Sequence, residues 1–419
     1  MSKLRWILMR LARKLGVRVA LYAVFGVFAA VAASLATRFV TWPVPFDIST
    51  EAIDSLLTVI SSSMLTVTTF SVGALTAAYG AATANGTPRA TTLLAEDPVV
   101  QSALATFVGS FLFSIVGLVA LRVSAYGPQG RVLLFLTTLA IIVMIVLALL
   151  RWIDQLSRLG RVADTTARLE EATHDAMQAR LAAPCLGGQP LQGLPDPNRG
   201  GQPVPAGQVG YIENIDPGGL SLLCEAKGWR MDVLVLPGSF VYADTPLALV
   251  HADQGAALPR EMTALIRAAF TLGTARSFDQ DPRFGLVTLS EVALRALSPA
   301  VNDPGTAIDV IGRQTRLLTY WAQEHDNGEA VPPVAYPRVS VPPLRFGDLY
   351  EDAFNLIGRD GAGQIDVVLR LVKALEALTR IGPPESRQAA GRQLAIARDR
   401  AMQNLPMAEE RERLAAALA

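Results

Sequence analysis

The chain alternates between long stretches without charge and stretches dense in it. Four uncharged runs cover residues 19–37, 55–88, 98–121 and 132–150. Each reaches the roughly 18 residues that cross a bilayer core as a helix. Such runs cross helically, because their backbone groups have to pair within the segment. The pattern predicts an α-helical membrane protein with four transmembrane helices over residues 19–150, preceded by a basic tail, 1–18. Beyond the fourth run the pattern is that of a cytoplasmic α+β domain. Residues 151–182 read as an amphipathic helix continuing the fourth span, with Leu156, Leu159, Ala163, Leu169, Ala172 and Met177 as apolar members. Residues 183–208, rich in Pro, Gly and Gln, read as a linker. Residues 209–255 read as a small mixed β unit: a strand at 209–215, a turn at Asp216-Pro217-Gly218-Gly219, a short helix ending at Gly228, a hairpin at Pro237-Gly238 and a strand at 246–251. Residues 256–419 read as mostly helical, with Val367, Leu371, Leu375 and Leu378 in helical register.

The second run has the least usual composition. Its 34 residues make a helix of about 50 Å, longer than a bilayer is thick. Ser55, Thr58, Ser62, Thr66, Thr69, Gly73, Thr76, Gly80, Thr83 and Thr87 recur every three or four residues and form one stripe. Two readings compete. Small residues let membrane helices pack closely, so the stripe is a packing seam, which Ser102, Thr106, Ser110 and Ser114 of the third run would share. Alternatively it lines a narrow wet path in an oligomer, with Ser62, Thr66, Thr69, Gly73, Thr76 and Gly80 as pore-lining candidates.

Charge sets the expected topology. The chain has 37 basic and 37 acidic residues. The tail carries Lys3, Arg5, Arg10, Arg13, Lys14 and Arg18 without an acid, while the first loop is acidic at Asp47, Glu51 and Asp54. Arg151, Arg158, Arg161 and Arg168 follow the fourth run. Basic residues mark the cytoplasmic side, so both termini are expected inside, in a bacterial inner membrane. Arg122 and Arg131 vote against this arrangement. Ser34-Leu35-Ala36 resembles a leader cleavage site, but the apolar run before it exceeds the roughly 7–15 residues of a leader's core. Cys185 and Cys224 read as free thiols of a reducing compartment. The balanced charge also argues against nucleic acid as a partner.

No span contains an internal Asp, Glu, Lys, Arg or His, which argues against proton relays and voltage sensing. There is no phosphate-binding GxxxxGK[ST] loop. His174, His251 and His325 stand alone, and no metal, cofactor or catalytic constellation is expected. The soluble part has two polar motifs, one around Arg276, Gln280 and Asp281, the other around Arg295, Ser298, Asn302, Asp303 and Thr306. Asp281-Pro282 and Asp303-Pro304 each look like a helix N-cap followed by Pro. Capping explains most of these polar residues; an anion or ligand contact through Arg276 and Arg295 is the functional alternative.

Ser63-Met64, Phe70-Ser71, Pro88-Arg89, Gly210-Tyr211-Ile212, Ile215-Asp216, Pro237-Gly238-Ser239-Phe240-Val241, Phe284-Gly285 and Arg295-Ala296-Leu297-Ser298-Pro299 join these motifs in a wider pattern. With them the chain resembles, over nearly its whole length, the bacterial membrane-protein family called domain of unknown function 2254. The hairpin departs from the family pattern, with Ser239 in place of an acid and Asp244 in place of a glycine. The resemblance implies four spans and a cytoplasmic domain, but no activity.

Two functions remain. One is a homo-oligomeric ion channel whose second span lines the pore and whose cytoplasmic domain gates it. The other is a non-conducting membrane scaffold or sensor whose cytoplasmic domain binds a ligand or protein partner. The lipid bilayer and further copies of the chain are the expected partners.

Overall fold

The computed structural model describes residues 3–35, 49–193, 200–252, 258–326 and 332–417, with Asp196 and Asn198. Ala36 of the leader motif and Asp47 of the acidic first loop lie outside them. The chain divides into two compact units. One comprises Leu8–Ala84 and Pro88–Asp164; the other comprises Met1–Ile7, Asn85–Thr87 and Thr165–Ala419.

The first unit holds α1 (Lys3–Ala12, in part), α2 (Leu15–Leu35), α3 (Thr50–Asn85), α4 (Thr91–Ala95), α5 (Pro98–Arg122) and α6 (Pro128–Arg158). Four of these, α2, α3, α5 and α6, are long and apolar enough to cross a membrane. Successive long helices run antiparallel. At one end a polar knot ties them together. Asp97 caps α5, accepting from the Val99 and Val100 amides at 2.7 and 3.2 Å, and its other oxygen accepts from Gln155 Nε2 of α6 at 2.6 Å. Gln101 donates to the Arg13 and Ala95 carbonyls at 2.6 and 2.8 Å. At the opposite end Arg122 pairs with Asp54 at 3.1 Å, Arg131 donates to Thr50, and Tyr126 donates to the Ala30 carbonyl at 2.8 Å. The two arginines that vote against the expected topology thus meet polar groups at the start of α3.

Packing between α2 and α5 rests on two glycines. A Cβ on Gly26 would lie 2.5 Å from the Gly109 carbonyl oxygen, and one on Gly109 would lie 3.0 Å from the Tyr22 carbonyl oxygen. Backbone meets backbone here, the close approach that small residues allow between membrane helices. In α3 the inward face is Ile53, Leu57, Ile60, Met64, Leu75 and Ala82, all buried.

Gly160, at φ +81°, lies between α6 and α7 (Val162–Ala182), so the fourth long helix does not continue unbroken through residue 182 as expected. The second unit then adds β1 (Gly188–Pro190), β2 (Gln202–Pro205), β3 (Gly210–Ile215), α8 (Pro217–Lys227), β4 (Arg230–Val233), β5 (Phe240–Val241), β6 (Pro246–His251), α9 (Arg260–Ala268), β7 (Phe270–Gly273), α10 (Pro282–Leu297), α11 (Pro304–Asp326), β8 (Tyr336–Val341), α12 (Phe346–Asp360), α13 (Ile365–Leu378), α14 (Pro384–Asn404) and α15 (Ala408–Ala417). One sheet has the order β1-β8-β4-β6-β2, the other β5-β3-β7.

This topology corrects three expectations. The stretch read as a linker supplies β1 and β2, the two edges of the five-stranded sheet. Pro190, Pro203 and Pro205 are compatible with that position, because a residue without an N–H is tolerated on a sheet edge. The small β unit is not self-contained, since β7 and β8 come from the region read as helical. Pro237-Gly238 is not a hairpin: β4 and β5 belong to different sheets, and the residues between them carry the chain across. Gly238 N–H donates to the Ile212 carbonyl of β3 at 2.8 Å, and Ile212 N–H donates to the Ser239 carbonyl at 2.9 Å. The sheets share a core that includes Ile212, Met231, Leu247 and Val339.

Gly109→Val is expected to force α2 and α5 apart and to destabilise the bundle by roughly 1–3 kcal/mol, as overpacking does. Thermal melting of the detergent-solubilised chain checks it: Gly73→Val, whose added Cβ meets nothing within 4 Å, should leave the midpoint nearly unchanged.

Candidate functional site

All six pore-lining candidates lie on one face of α3, and that face is exposed. Ser62, Thr66, Thr69, Gly73, Thr76 and Gly80 have no cover from their own unit, nor do Ser55, Thr58 and Thr83. Only Thr87, at the end of the series, is buried; it lies in the second unit, where it donates to Glu291 at 2.9 Å. The expected seam with the third run does not form. Thr106, Ser110 and Ser114 of α5 are buried, and α5 packs its Gly109 on α2 instead.

The stripe's hydroxyls bond within their own helix. Ser62 donates to the Thr58 carbonyl, Thr66 to Ser62, Thr69 to Leu65 and Thr76 to Val72, all at 2.9–3.0 Å. Each keeps its acceptor lone pairs free. Beside them Val59, Leu65, Phe70 and Val72 are also exposed. The outward face of α3 is therefore a mixed surface with a hydroxyl and glycine line running along it.

In the second unit the eight motif residues separate into two groups at opposite ends of α10, a helix of 16 residues. At its N-terminus Arg276, Gln280 and Asp281 converge. Asp281 is 2% exposed, accepts from the Phe284 amide at 3.2 Å and pairs with Arg276 at 2.8 Å. Burial pushes its carboxyl above the usual carboxylate range, against the opposing pull of Arg276. Arg276 also lies over the Phe284 ring, 5.0 Å from its centre. Gln280 brackets Ile215 of β3: its amide oxygen accepts from the Ile215 N–H at 3.0 Å, and its amide nitrogen donates to the Ile215 carbonyl at 3.3 Å. Gly238, at φ +90°, completes the assembly, since a Cβ there would collide with the Asp281 carboxylate.

Sequence reasoning missed three members of this cluster. Arg180 of α7 is buried and donates to the Gln280 carbonyl at 2.9 Å; burial pushes its guanidinium down to about 10. Arg283 is held by Asp352 at 2.6 Å and Asp348 at 3.1 Å. Trp6, in the segment read only as a basic tail, is 2% exposed and donates to Asp279 at 2.7 Å. A tryptophan among six tail cations was the available signal for that anchor. Beside Arg276 and Arg283 is a cleft of about 370 Å³, bounded also by Ser239, Arg345 and Asp348.

The other group closes the turn between α10 and α11. Ser298 donates to the Arg295 carbonyl at 2.7 Å, and Asn302, at φ +49°, donates its N–H to the Ser298 carbonyl at 2.8 Å. Asp303 accepts from the Thr306 hydroxyl at 2.6 Å and its amide at 3.1 Å, which lowers the Asp303 carboxyl below its ordinary value. These are the bonds of a helix cap. Among the described residues no group of three or more His, Cys, Asp or Glu is arranged to hold a metal ion.

Over residues 12–377 the sequence matches the family described as predicted membrane protein, domain of unknown function 2254. The chain belongs to this family. Similar proteins include uncharacterized proteins of Mycobacterium bovis and Mycobacterium tuberculosis, each 31% identical over 123 residues. That match covers 28% of this chain and 23% of each relative. The aligned part is thus about a quarter of the relatives' length. No solved structure gives a significant match. Membership gives a membrane protein with four candidate spans and leaves its activity open.

Asp281→Ala is expected to cost on the order of 2–4 kcal/mol, because it strips the partly exposed Arg276 of its charge-assisted hydrogen bond and a helix of its cap. Chemical denaturation of the solubilised chain measures this. Asp303→Ala should cost about 1 kcal/mol at neutral pH, as exposed caps do. Because the Asp303 carboxyl is lowered in the folded chain, its contribution is full above the ordinary carboxylate pKa. It fades as pH falls through the lowered value. Parallel melts of variant and parent should therefore converge in acid.

Proposed function

We propose that this chain is a subunit of a homo-oligomeric channel of a bacterial inner membrane. In this reading α3 helices from several copies face a common axis. The line Ser62, Thr66, Thr69, Gly73, Thr76 and Gly80 borders the permeation path, and the soluble unit lies in the cytoplasm with both termini. The carrying observation is the exposure of this line along α3, while the comparable residues Thr106, Ser110 and Ser114 on α5 are buried. A helix that keeps its small and hydroxyl residues for an outward face has a surface suited to another copy or to water. Orientation follows the basic tail and the arginines after the fourth run. The Arg122–Asp54 pair supports it by neutralising one of the two dissenting cations.

One observation favours a second reading, a non-conducting scaffold or sensor. The stripe hydroxyls already donate to their own helix carbonyls, so a dry seam between copies leaves no donor unmet.

Planar-bilayer recording of the purified full chain separates the two. A channel conducts, and Thr69→Asp and Thr76→Asp raise its cation selectivity severalfold by placing charge at the path. A scaffold shows no conductance. Single cysteines at Ser62, Thr66 and Thr69 should react with aqueous thiol reagents in the channel and resist them in the scaffold.

A further inference from the structure

We infer that the first unit carries a binding groove for one anionic phospholipid, formed by α2, α5 and α6 with Arg151 at its mouth. Two cavities make the groove. The larger, about 660 Å³, is bounded by residues including Phe25, Ala29, Gly109 and Ile141. The smaller, about 300 Å³, shares Tyr22, Thr106, Ala140 and Met144 with it and reaches Arg151. The two cavities are thus neighbours along the same three helices. Small residues border the larger one, Gly26 and Ala29 on α2, Gly109 on α5 and Ala140 on α6, where α2 and α5 themselves meet backbone to backbone at the two glycines.

The wall chemistry selects an acyl chain. Of the polar wall residues, Thr106 and Thr137 donate their hydroxyls to the Ser102 and Leu133 carbonyls of their own helices, each at 2.8 Å, Ser102 donates to the Val99 carbonyl at 3.0 Å, and the buried Ser110 hydroxyl alone among these four has no hydrogen-bond partner. From Thr137 to Arg151, α6 climbs about 21 Å at 1.5 Å per residue. That exceeds the roughly 15 Å of one leaflet's hydrocarbon, half of a core of about 30 Å. The groove thus accommodates a chain from a single leaflet.

The mouth chemistry selects the headgroup. Arg151 is exposed and makes no ion pair or hydrogen bond among the described residues. Arg18 lies one turn before Tyr22 on α2, at the same end. A guanidinium there meets a phosphate by charge-assisted hydrogen bonds. In the orientation proposed above, this end faces the leaflet whose anionic lipids attract such cations. The inference rests on the four helices crossing the bilayer, not on oligomer formation or conductance.

Native mass spectrometry of the full chain in mild detergent, with added phosphatidylglycerol or phosphatidylcholine, tests it. One phosphatidylglycerol per chain is expected to survive activation, in preference to phosphatidylcholine. Arg151→Gln should cut that preference about fivefold, the effect of one cation near an anionic surface. Ala140→Phe should block the groove and abolish retention. Ala29→Phe, at the deep end, is the second blocking variant if Ala140→Phe lowers the melting temperature. Equal retention of the two lipids, retention that persists in a folded blocking variant, or no retained lipid would each overturn the groove. None of these outcomes bears on conductance, so the channel reading stands or falls separately.

Discussion

The knot at Asp97 is the constraint on which the arrangement of the first unit depends. A buried carboxylate is costly unless every lone pair finds a donor. This one takes two amides of α5 and the Gln155 amide of α6, while Gln101 next to it holds the carbonyl of Arg13 ahead of α2. In lipid no hydrophobic effect draws helices together, because lipid and protein interior are equally apolar, so close packing and directional bonds have to do it. The bonds at the helix ends add direction to that packing. With α2, α5 and α6 fixed there, the Gly26–Gly109 contact follows, and α5 turns its small residues inward.

That same argument explains what could be read from the chain before its fold was known. The four runs were legible because exclusion of charge is a strong signal. The stripe on α3 was legible because helical geometry turns a three-and-four spacing into a line. Its partner was not legible. In a soluble helix the apolar face is the buried one, but in a membrane helix hydropathy does not distinguish lipid from protein. Hence the expectation that the α5 serine series would meet the α3 stripe, where the structure buries the former and exposes the latter.

The second unit shows a different limit. Local signals were reliable where bonding is local: the Asp281 and Asp303 caps both form between residues three apart. Pairing between distant segments was invisible. β1 pairs with β8, bringing Gly188 opposite Tyr336, and nothing in either short segment announces the other. Proline misled in a specific way. It marks loops, yet it also marks sheet edges, and β1 and β2 are edges.

The cluster at the start of α10 shows how exacting the geometry of a motif can be. Gly238 has no alternative, because any Cβ strikes the Asp281 carboxylate. Asp281 has none either, because it caps a helix and neutralises Arg276 in a buried place. Gln280 is held to both its hydrogen bonds with Ile215. The loop between the two sheets, the end of β3 and the start of α10 are thereby locked together, with Trp6 tied to the adjoining Asp279. Trp6, before α2, and Thr87, after α3, belong to the second unit and bond to its Asp279 and Glu291. The chain passes between the two units four times, at residues 7–8, 84–85, 87–88 and 164–165.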